Sequence, residues 1–172
     1  LLTDTQRDYL ELMSKKTEQM GKRVDELLDY ATIYSGQMQV QKIPLEATAL
    51  TAQIIEELTP FHPEITEDCG DSVRISADPA LLERVVDNLL SNLHKYADPA
   101  QPVRFSWREE SDSIVLELEN GISLAAPADG KSLGNKIVGY IMGLHGGSME
   151  TAHEDGRYRI RLTFPILKES QA

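Results

Sequence analysis

The chain has 172 residues, of which 41% are hydrophobic, and its formal net charge is −11. This length and hydrophobic content predict one folded domain with an appendage and exclude disorder of the whole chain. The acidic charge argues against nucleic acid or an anionic membrane surface as a partner, because both attract clustered Lys and Arg. The lone Cys69 excludes an internal disulfide framework and is typical of a reducing compartment. No run approaches the roughly 20 apolar residues that a membrane-spanning helix needs.

The first predicted element is a long helix over about residues 5–38. Its apolar positions recur in alternating steps of three and four once Thr17 is counted; they are Leu10, Met13, Met20, Val24, Leu27, Ala31 and Tyr34. This heptad pattern is typical of a helix that packs against a partner helix. The alternative is a long helix that packs on its own domain, but its length favours a helical bundle.

Helices and strands alternate from about Pro44 onward. We predict helices over 47–58, from 79 to the break at 98–99, and over 133–144, and strands over 65–67, 73–76, 103–108, 114–119, 148–153 and 158–164. Asp78 is the expected N-cap of the second of these helices and Pro79 its first residue. Asp155-Gly156 is the expected turn of the last hairpin. The pattern predicts one mixed sheet with helices on one face, which is an α+β fold in two layers.

A polar stripe follows the apolar face of the helix that begins at Pro79. Asn88, Asn92, Lys95 and Tyr96 are spaced four, three and one residues apart, so they lie on one side of the helix. Asparagine is a mediocre helix former, and its amide oxygen is a neutral ligand suited to Mg²⁺ that already carries phosphate oxygens. Lys95 is placed to meet a phosphate, and Tyr96 to line a pocket. A solvated helix face is the alternative interpretation.

The segment 82–96, with the sequence LERVVDNLLSNLHKY, resembles the N box of sensor histidine kinases, whose ATPase superfamily includes the gyrase-type topoisomerases. The resemblance implies a two-layer α/β sandwich of that superfamily, with ATP and Mg²⁺ as ligands. It further implies that Asn88 and Asn92 serve the Mg²⁺ ion and the phosphates. Lys95 and Tyr96 would line the nucleotide site.

A second match begins at Ser132 and Gly134, followed by Asn135. It resembles the second glycine box of the same family, which leads into a helix that ends in a His-Gly-Gly turn, here 145–147. Such a box presents backbone N–H groups to phosphate at a helix N-terminus. Ser132 replaces one glycine of the box and Asn135 replaces a leucine, so we expect an imperfect phosphate site.

The remaining segments follow the order of the same family. The first helix is similar to the second helix of its dimerisation hairpin, and 160–165 is similar to the last strand of its catalytic domain. The resemblance therefore divides the chain into a dimerisation segment, 1–43, and an ATP-binding catalytic domain, 44–172. The first helix of the hairpin is absent from this chain.

The adenine-binding loop of the family, Asp-x-Gly-x-Gly, is altered in this chain. Counting back from Gly121 puts Glu119 at the aspartate position, whereas the strand pattern makes Asn120 a rival. Ser123 replaces the second glycine. About ten residues separate Gly121 from Ser132, so the ATP lid is expected to be short and nucleotide to be held more weakly.

The phosphate-accepting histidine of the family is also missing, so we expect no catalytic histidine in this chain. The four histidines are His62, His94, His145 and His153; none of them lies on the first helix, and we expect all of them to be structural or surface residues. The resemblance implies a cytoplasmic kinase segment whose parent protein forms a homodimer, is anchored in the membrane and transfers phosphate to the receiver domain of a response regulator. The alternative is a degenerate, non-catalytic relative that serves as a dimerisation, docking or phosphotransfer scaffold.

Overall fold

The computed structural model describes residues 2–36, 38–62, 64–69, 73–124 and 133–166. The chain divides after Met38 into two compact units. The first unit contains a single helix, α1 (Asp4–Tyr34), and the second contains all the other elements. Among the described residues, no helix is both long and apolar enough to span a bilayer.

Helix α1 confirms the predicted long helix but ends four residues earlier than expected. The chain turns at Ser35 and Gly36, and Gly36 adopts a left-handed backbone with φ of 64°. We call the apolar residues of the predicted heptad pattern the seam. Several of them are at least half exposed; they are Leu10, Met13, Met20, Val24 and Leu27. The helix itself is therefore confirmed, and its pairing with a partner helix stays a prediction.

The second unit contains three helices and seven strands among the described residues. In chain order they are β1 (Ile43–Glu46), α2 (Thr48–Leu58), β2 (Ile65–Cys69), β3 (Arg74–Ala77), α3 (Pro79–Tyr96), β4 (Val103–Glu110), β5 (Ser113–Gly121), α4 (Leu133–Leu144), β6 (Ser148–Glu154) and β7 (Arg157–Pro165). Five strands form a sheet in the order β2-β4-β5-β7-β6, in which β2 is parallel to β4 and every other pair is antiparallel. The predicted α+β fold with a mixed sheet is confirmed.

The expectation of a single sheet was wrong. Strand β3 leaves the main sheet and pairs with β1 in a separate two-stranded antiparallel sheet. The sequence pattern did not predict β1, which contains Pro44. Proline is tolerated in an edge strand, where its missing N–H need not face a neighbour. In this small sheet Pro44 lies opposite Ser76.

One face of the five-stranded sheet is apolar and packs under the helices. Phe105, Leu118 and Ile160 lie side by side on β4, β5 and β7, and each is buried. Trp107 lies on the same face and donates a hydrogen bond from its indole nitrogen to the Thr51 hydroxyl of α2. This alternation of buried and exposed positions fixes which side chains of β5 and β7 face the helices.

Asp78 connects three parts of this unit. Its carboxylate accepts hydrogen bonds from the backbone N–H groups of Ala80 and Leu81 at the start of α3, which confirms the predicted N-cap. Its second oxygen accepts from the backbone N–H of Gln41, at 2.8 Å. The Asp78 backbone N–H donates to Nε2 of His145, a fully buried residue at the end of α4. The start of α3 is thus tied to the segment before β1 and to the end of α4.

Replacing Asp78 with alanine should destabilise this unit. The change removes the cap of α3 and leaves the Gln41 N–H without its acceptor, so we expect a loss of about 1–3 kcal/mol in the free energy of unfolding. Urea denaturation followed by circular dichroism measures this loss. Asp87→Ala makes the same chemical change at an exposed position of α3 and should cost less than about 0.5 kcal/mol. Equal losses in the two variants would contradict the role given to Asp78.

Asp78 should also make stability depend on pH. The hydrogen bond from Gln41 is the main cause that lowers the pKa of its carboxyl group. Because the folded-state pKa lies below the unfolded value of about 3.9, the stabilisation is fully present above that value and is lost as the pH falls through the folded-state pKa. The difference in unfolding free energy between wild type and Asp78→Asn should therefore shrink below about pH 4. A difference that is constant from pH 7 to pH 2 would contradict this.

Candidate functional site

The predicted polar stripe lies on α3, with both asparagines half-buried. The amide nitrogen of Asn88 donates to the backbone oxygen of Arg84 at 2.7 Å, one turn earlier. The amide nitrogen of Asn92 donates to the side-chain oxygen of Asn135 at 2.8 Å. Both nitrogens are therefore engaged within the protein, which leaves the two amide oxygens as the atoms suited to a cation. Lys95 is exposed and Tyr96 is half-buried, one turn further along α3.

The first turn of α4 lies directly against this stripe. Gly134 is buried, and a Cβ atom at this position would lie 2.4 Å from the side-chain oxygen of Asn88. Only a residue without a side chain fits there without moving Asn88. The Asn88 oxygen thus lies beside the N-terminal turn of a helix, where backbone N–H groups attract oxygen ligands. Ser132, the other predicted residue of the glycine box, lies outside the described residues.

The predicted His-Gly-Gly turn ends α4. The backbone N–H of Gly146 donates to the oxygen of Gly143 and that of Gly147 to the oxygen of Met142, which is the hydrogen-bond pattern of a Schellman C-cap. Gly146 has a φ of 78°. At Gly147 a Cβ atom would collide with the backbone oxygen of Thr163 on β7. These glycines therefore serve the packing of α4 on the sheet, at the end of the helix opposite to Gly134.

The two alternatives for the adenine-binding residue lie on opposite faces of β5. Glu119 lies on the outer face, where it forms ion pairs with Arg104, Arg157 and Arg159. The hydrogen bond from Arg159 is the main cause that lowers the pKa of Glu119. Asn120 lies on the inner face and is 2% exposed. Only Asn120 shares a face of the sheet with the helices.

Asn120 lies next to a tightly packed glycine. Its amide nitrogen donates to the backbone oxygen of Gly121 at 2.8 Å, and the same oxygen accepts from the N–H of Asp98 at 2.9 Å. A Cβ atom at Gly121 would collide with the side chain of Gln101. Gly121 therefore brings the loop after α3 close to the end of β5.

Tyr158 is a residue of this region that the sequence analysis missed. It lies opposite Asn120 in the pairing of β5 with β7, and its hydroxyl accepts a hydrogen bond from the amide nitrogen of Asn135 at 3.1 Å. Burial is the main cause that raises the pKa of Tyr158, and the nearby Tyr96 raises it further. The sequence alone does not place Tyr158 beside Asn120, because this contact depends on the register of β5 with β7.

Metal-binding side chains of other kinds do not cluster in the described part of the chain. Within residues 2–36, 38–62, 64–69, 73–124 and 133–166, no group of three or more His, Cys, Asp or Glu residues is arranged to hold a metal ion. His145 is buried with both ring nitrogens hydrogen-bonded, which agrees with the structural role expected for it. His62 is also buried, and burial is the main cause that lowers its pKa.

Gly134 offers a direct test of the contact between α3 and α4. Gly134→Ala should displace the Asn88 amide and therefore gain none of the helix propensity that a Gly→Ala change normally brings. Gly143→Ala, on the same helix with nothing within 4 Å of its Cβ, should stabilise the protein by about 0.5–1 kcal/mol. Urea denaturation of both variants gives the comparison. Equal stabilisation by the two changes would show that Asn88 and Gly134 do not touch.

The chain is similar in sequence to several sensor kinases. It is 24% identical to the circadian input-output histidine kinase CikA of Synechococcus elongatus over 176 residues, which is 87% of this chain and 23% of that protein. It is 21% identical to the alginate biosynthesis sensor protein KinB of Pseudomonas aeruginosa, over 92% of this chain and 30% of that protein. Sensor histidine kinase YrkQ of Bacillus subtilis is 30% identical over 48% of this chain and 19% of its own length. The chain thus spans less than a third of these relatives. No family model matches the sequence.

Solved structures share the fold. The Acinetobacter baumannii histidine kinase AdeS superposes with a TM-score of 0.80 at 14% identity, covering 97% of this chain and 87% of that one. Full-length ShkA in complex with AMPPNP gives a TM-score of 0.79 at 20% identity, covering 96% of this chain and 40% of that one. ThkA in complex with the response regulator TrrA gives 0.74 at 14% identity, covering 96% and 52%. The chain thus resembles sensor histidine kinases in sequence along most of its length, and it shares its fold with solved histidine kinases.

Proposed function

We propose that this chain binds ATP with Mg²⁺ and serves as the nucleotide-binding part of a protein-histidine kinase. The observation that carries the proposal is the orientation of the two asparagines of α3. Asn88 and Asn92 each donate through the amide nitrogen to the protein, so their oxygens are the ligand atoms that remain. Two neutral oxygens one helical turn apart suit a divalent cation that is bound to phosphate. The structural neighbour solved with the ATP analogue AMPPNP supports this proposal.

Each residue of the stripe has a distinct role in the proposed site. Asn88 and Asn92 hold Mg²⁺ without placing carboxylates beside an anionic nucleotide. The bound cation would neutralise charge on the phosphates. Lys95 is exposed and one turn away, so it reaches a phosphate as a mobile positive charge. Backbone N–H groups of the first turn of α4, with Gly134 and Ser132, orient the phosphates.

Asn120 is the residue that we propose for the base. Its burial on the inner face favours it over Glu119, which is held by three arginines on the outer face. An amide oxygen accepts a hydrogen bond from the adenine amine, but a neutral acceptor contributes about 1 kcal/mol where a charged one contributes about 1.5–3 kcal/mol. Gly121 and Tyr96 complete this end of the site. We therefore expect weaker binding than a carboxylate would give.

The phosphate acceptor and the later partners are proposed to lie outside this chain. We propose that a histidine outside this chain accepts phosphate, and that a receiver domain of a response regulator takes it next. A structural neighbour was solved in complex with a response regulator, which supports this partner. The exposed seam of α1 supports the assignment of 1–43 to a dimerisation hairpin and of 44–172 to the catalytic domain, within a cytoplasmic segment of a membrane-anchored homodimer. The comparisons do not favour a non-catalytic scaffold, since the curated relatives are named as kinases or sensor proteins.

Calorimetric titration of ATP with Mg²⁺ tests the proposed site. Asn88→Asp should weaken binding at least about tenfold, because a new negative charge beside the phosphates costs more than about 1.4 kcal/mol at short range. His94→Asp adds a negative charge to the same helix at an exposed position about 120° around the axis from Asn88, and should change the affinity much less. Urea denaturation of each variant confirms that it is folded.

Two results would contradict the proposal. Equal weakening by Asn88→Asp and His94→Asp would mean that the stripe is not the site. No heat at millimolar nucleotide in the folded wild type would mean that this chain does not bind ATP, and would leave the scaffold as the better account.

A further inference from the structure

A chain of side-chain hydrogen bonds crosses the proposed nucleotide cleft. Asn92 on α3 donates to the amide oxygen of Asn135 on α4, and the amide nitrogen of Asn135 donates to the Tyr158 hydroxyl on β7. The distances are 2.8 Å and 3.1 Å. Three elements that are far apart in sequence thus meet through three side chains. We call Asn92, Asn135 and Tyr158 the latch.

The latch lies between the two ends of the proposed site. Tyr158 is the neighbour of Asn120 across β5 and β7, at the base end. Asn92 belongs to the stripe at the phosphate end. Asn135, on the first turn of α4, connects the two. A nucleotide that reaches from Asn120 to Asn92 must therefore take the space that the latch now spans.

Asn88 packs tightly against Gly134 beside the latch. The side-chain oxygen of Asn88 lies where a Cβ of Gly134 would come within 2.4 Å of it. Oxygen ligands of Mg²⁺ lie at about 2.1 Å from the ion, so a coordinated phosphate must separate Asn88 from α4 by several ångströms. The first turn of α4 has to move away from α3 before that happens.

We propose that the latch holds the nucleotide cleft closed and that ATP with Mg²⁺ binds only to the open form. This inference rests on the function proposed above. The latch is built from neutral groups, so its hydrogen bonds are individually modest and reversible. When only a fraction of the molecules is open, the measured affinity equals the affinity of the open form multiplied by that fraction. Asn135 and Tyr158 therefore set how tightly the site appears to bind.

The C-terminal end of α4 is the part of this helix that we expect to stay in place when the cleft opens. His145 is buried, its Nε2 accepts from the backbone of Asp78, and its Nδ1 donates to the oxygen of Ile141. The end of α4 is thus fixed to the start of α3. Opening is expected to loosen the first turns of α4 while the last turn remains attached.

Removal of latch hydrogen bonds should tighten nucleotide binding. Tyr158→Phe keeps the ring and removes the hydroxyl that Asn135 uses, so the dissociation constant for ATP with Mg²⁺ should fall about three- to tenfold. Asn135→Ala removes both hydrogen bonds and should lower it further. Tyr140→Phe removes a tyrosine hydroxyl from α4 outside the latch and should leave the constant unchanged. Unchanged or weaker binding in both latch variants overturns the proposal.

Hydrogen exchange without nucleotide gives an independent test. In Tyr158→Phe and Asn135→Ala, the amides of residues 137–140 should exchange about three- to tenfold faster, whereas those of 141–144 should not change. Unchanged exchange in residues 137–140 overturns the latch. Wild-type binding that Asn88→Asp weakens, but that neither latch variant tightens, contradicts the latch alone. Absence of binding in the wild type and in both latch variants contradicts the proposed function as well.

Discussion

The fold around the candidate site depends on the hydrogen bonds of Asp78. This residue caps α3, holds the Gln41 backbone before β1 and receives His145 from the end of α4. All its partners are backbone groups or a buried ring, so the connections have little freedom. Since every residue of the polar stripe lies on α3, the hydrogen bond between Asp78 and His145 helps to set the position of the stripe relative to α4. The opposite end of α4 contacts the stripe through Gly134 and the side-chain amide of Asn135.

The choice of amide groups at the site follows from charge. The chain is strongly acidic, and a phosphate site lined with carboxylates would add repulsion that an anionic ligand must overcome. Asn88, Asn92, Asn120 and Asn135 present oxygens without adding negative charge. The same amides also hydrogen-bond to one another or to the backbone, which gives the protein a way to satisfy them internally. The amides of such a site can bond either to a ligand or to groups of the protein. The second arrangement is the closed form that the proposed latch holds.

The sequence predicted those parts of the fold that depend on local signals. Asp78 and Pro79 marked the start of α3, and the turn at Asp155 and Gly156 formed with φ of 51° and 75° as the hairpin pattern implied. Strand β1 was not predicted, because proline is uncommon in strands and the pairing of β1 with β3 joins residues far apart in the sequence. The prediction of a single sheet was wrong for the same reason, since β3 pairs with β1 in a separate sheet.

The site shows the same division between local and non-local information. The stripe was predictable because its four residues share one helix and one period. Glu119 and Asn120 are adjacent, so only the alternation of buried residues along β5 separates them, and the sequence count pointed the other way. The contacts of Asn135 and Tyr158 arise from the register of β5 with β7 and from the approach of α4 to α3. Neither the strand register nor the approach of the two helices can be predicted from residue spacing in the sequence.

Paramagnetic NMR can show whether the amide oxygens of α3 hold the cation of a bound nucleotide. Mn²⁺ replaces Mg²⁺ at oxygen sites and broadens the signals of nearby nuclei. With ATP present, substoichiometric Mn²⁺ should broaden the side-chain amide signals of Asn88 and Asn92 before those of the other asparagines. Broadening of these two signals that requires both ATP and Mn²⁺ is the predicted result. Broadening elsewhere, with the Asn88 and Asn92 signals unchanged, would show that these two residues do not hold the cation.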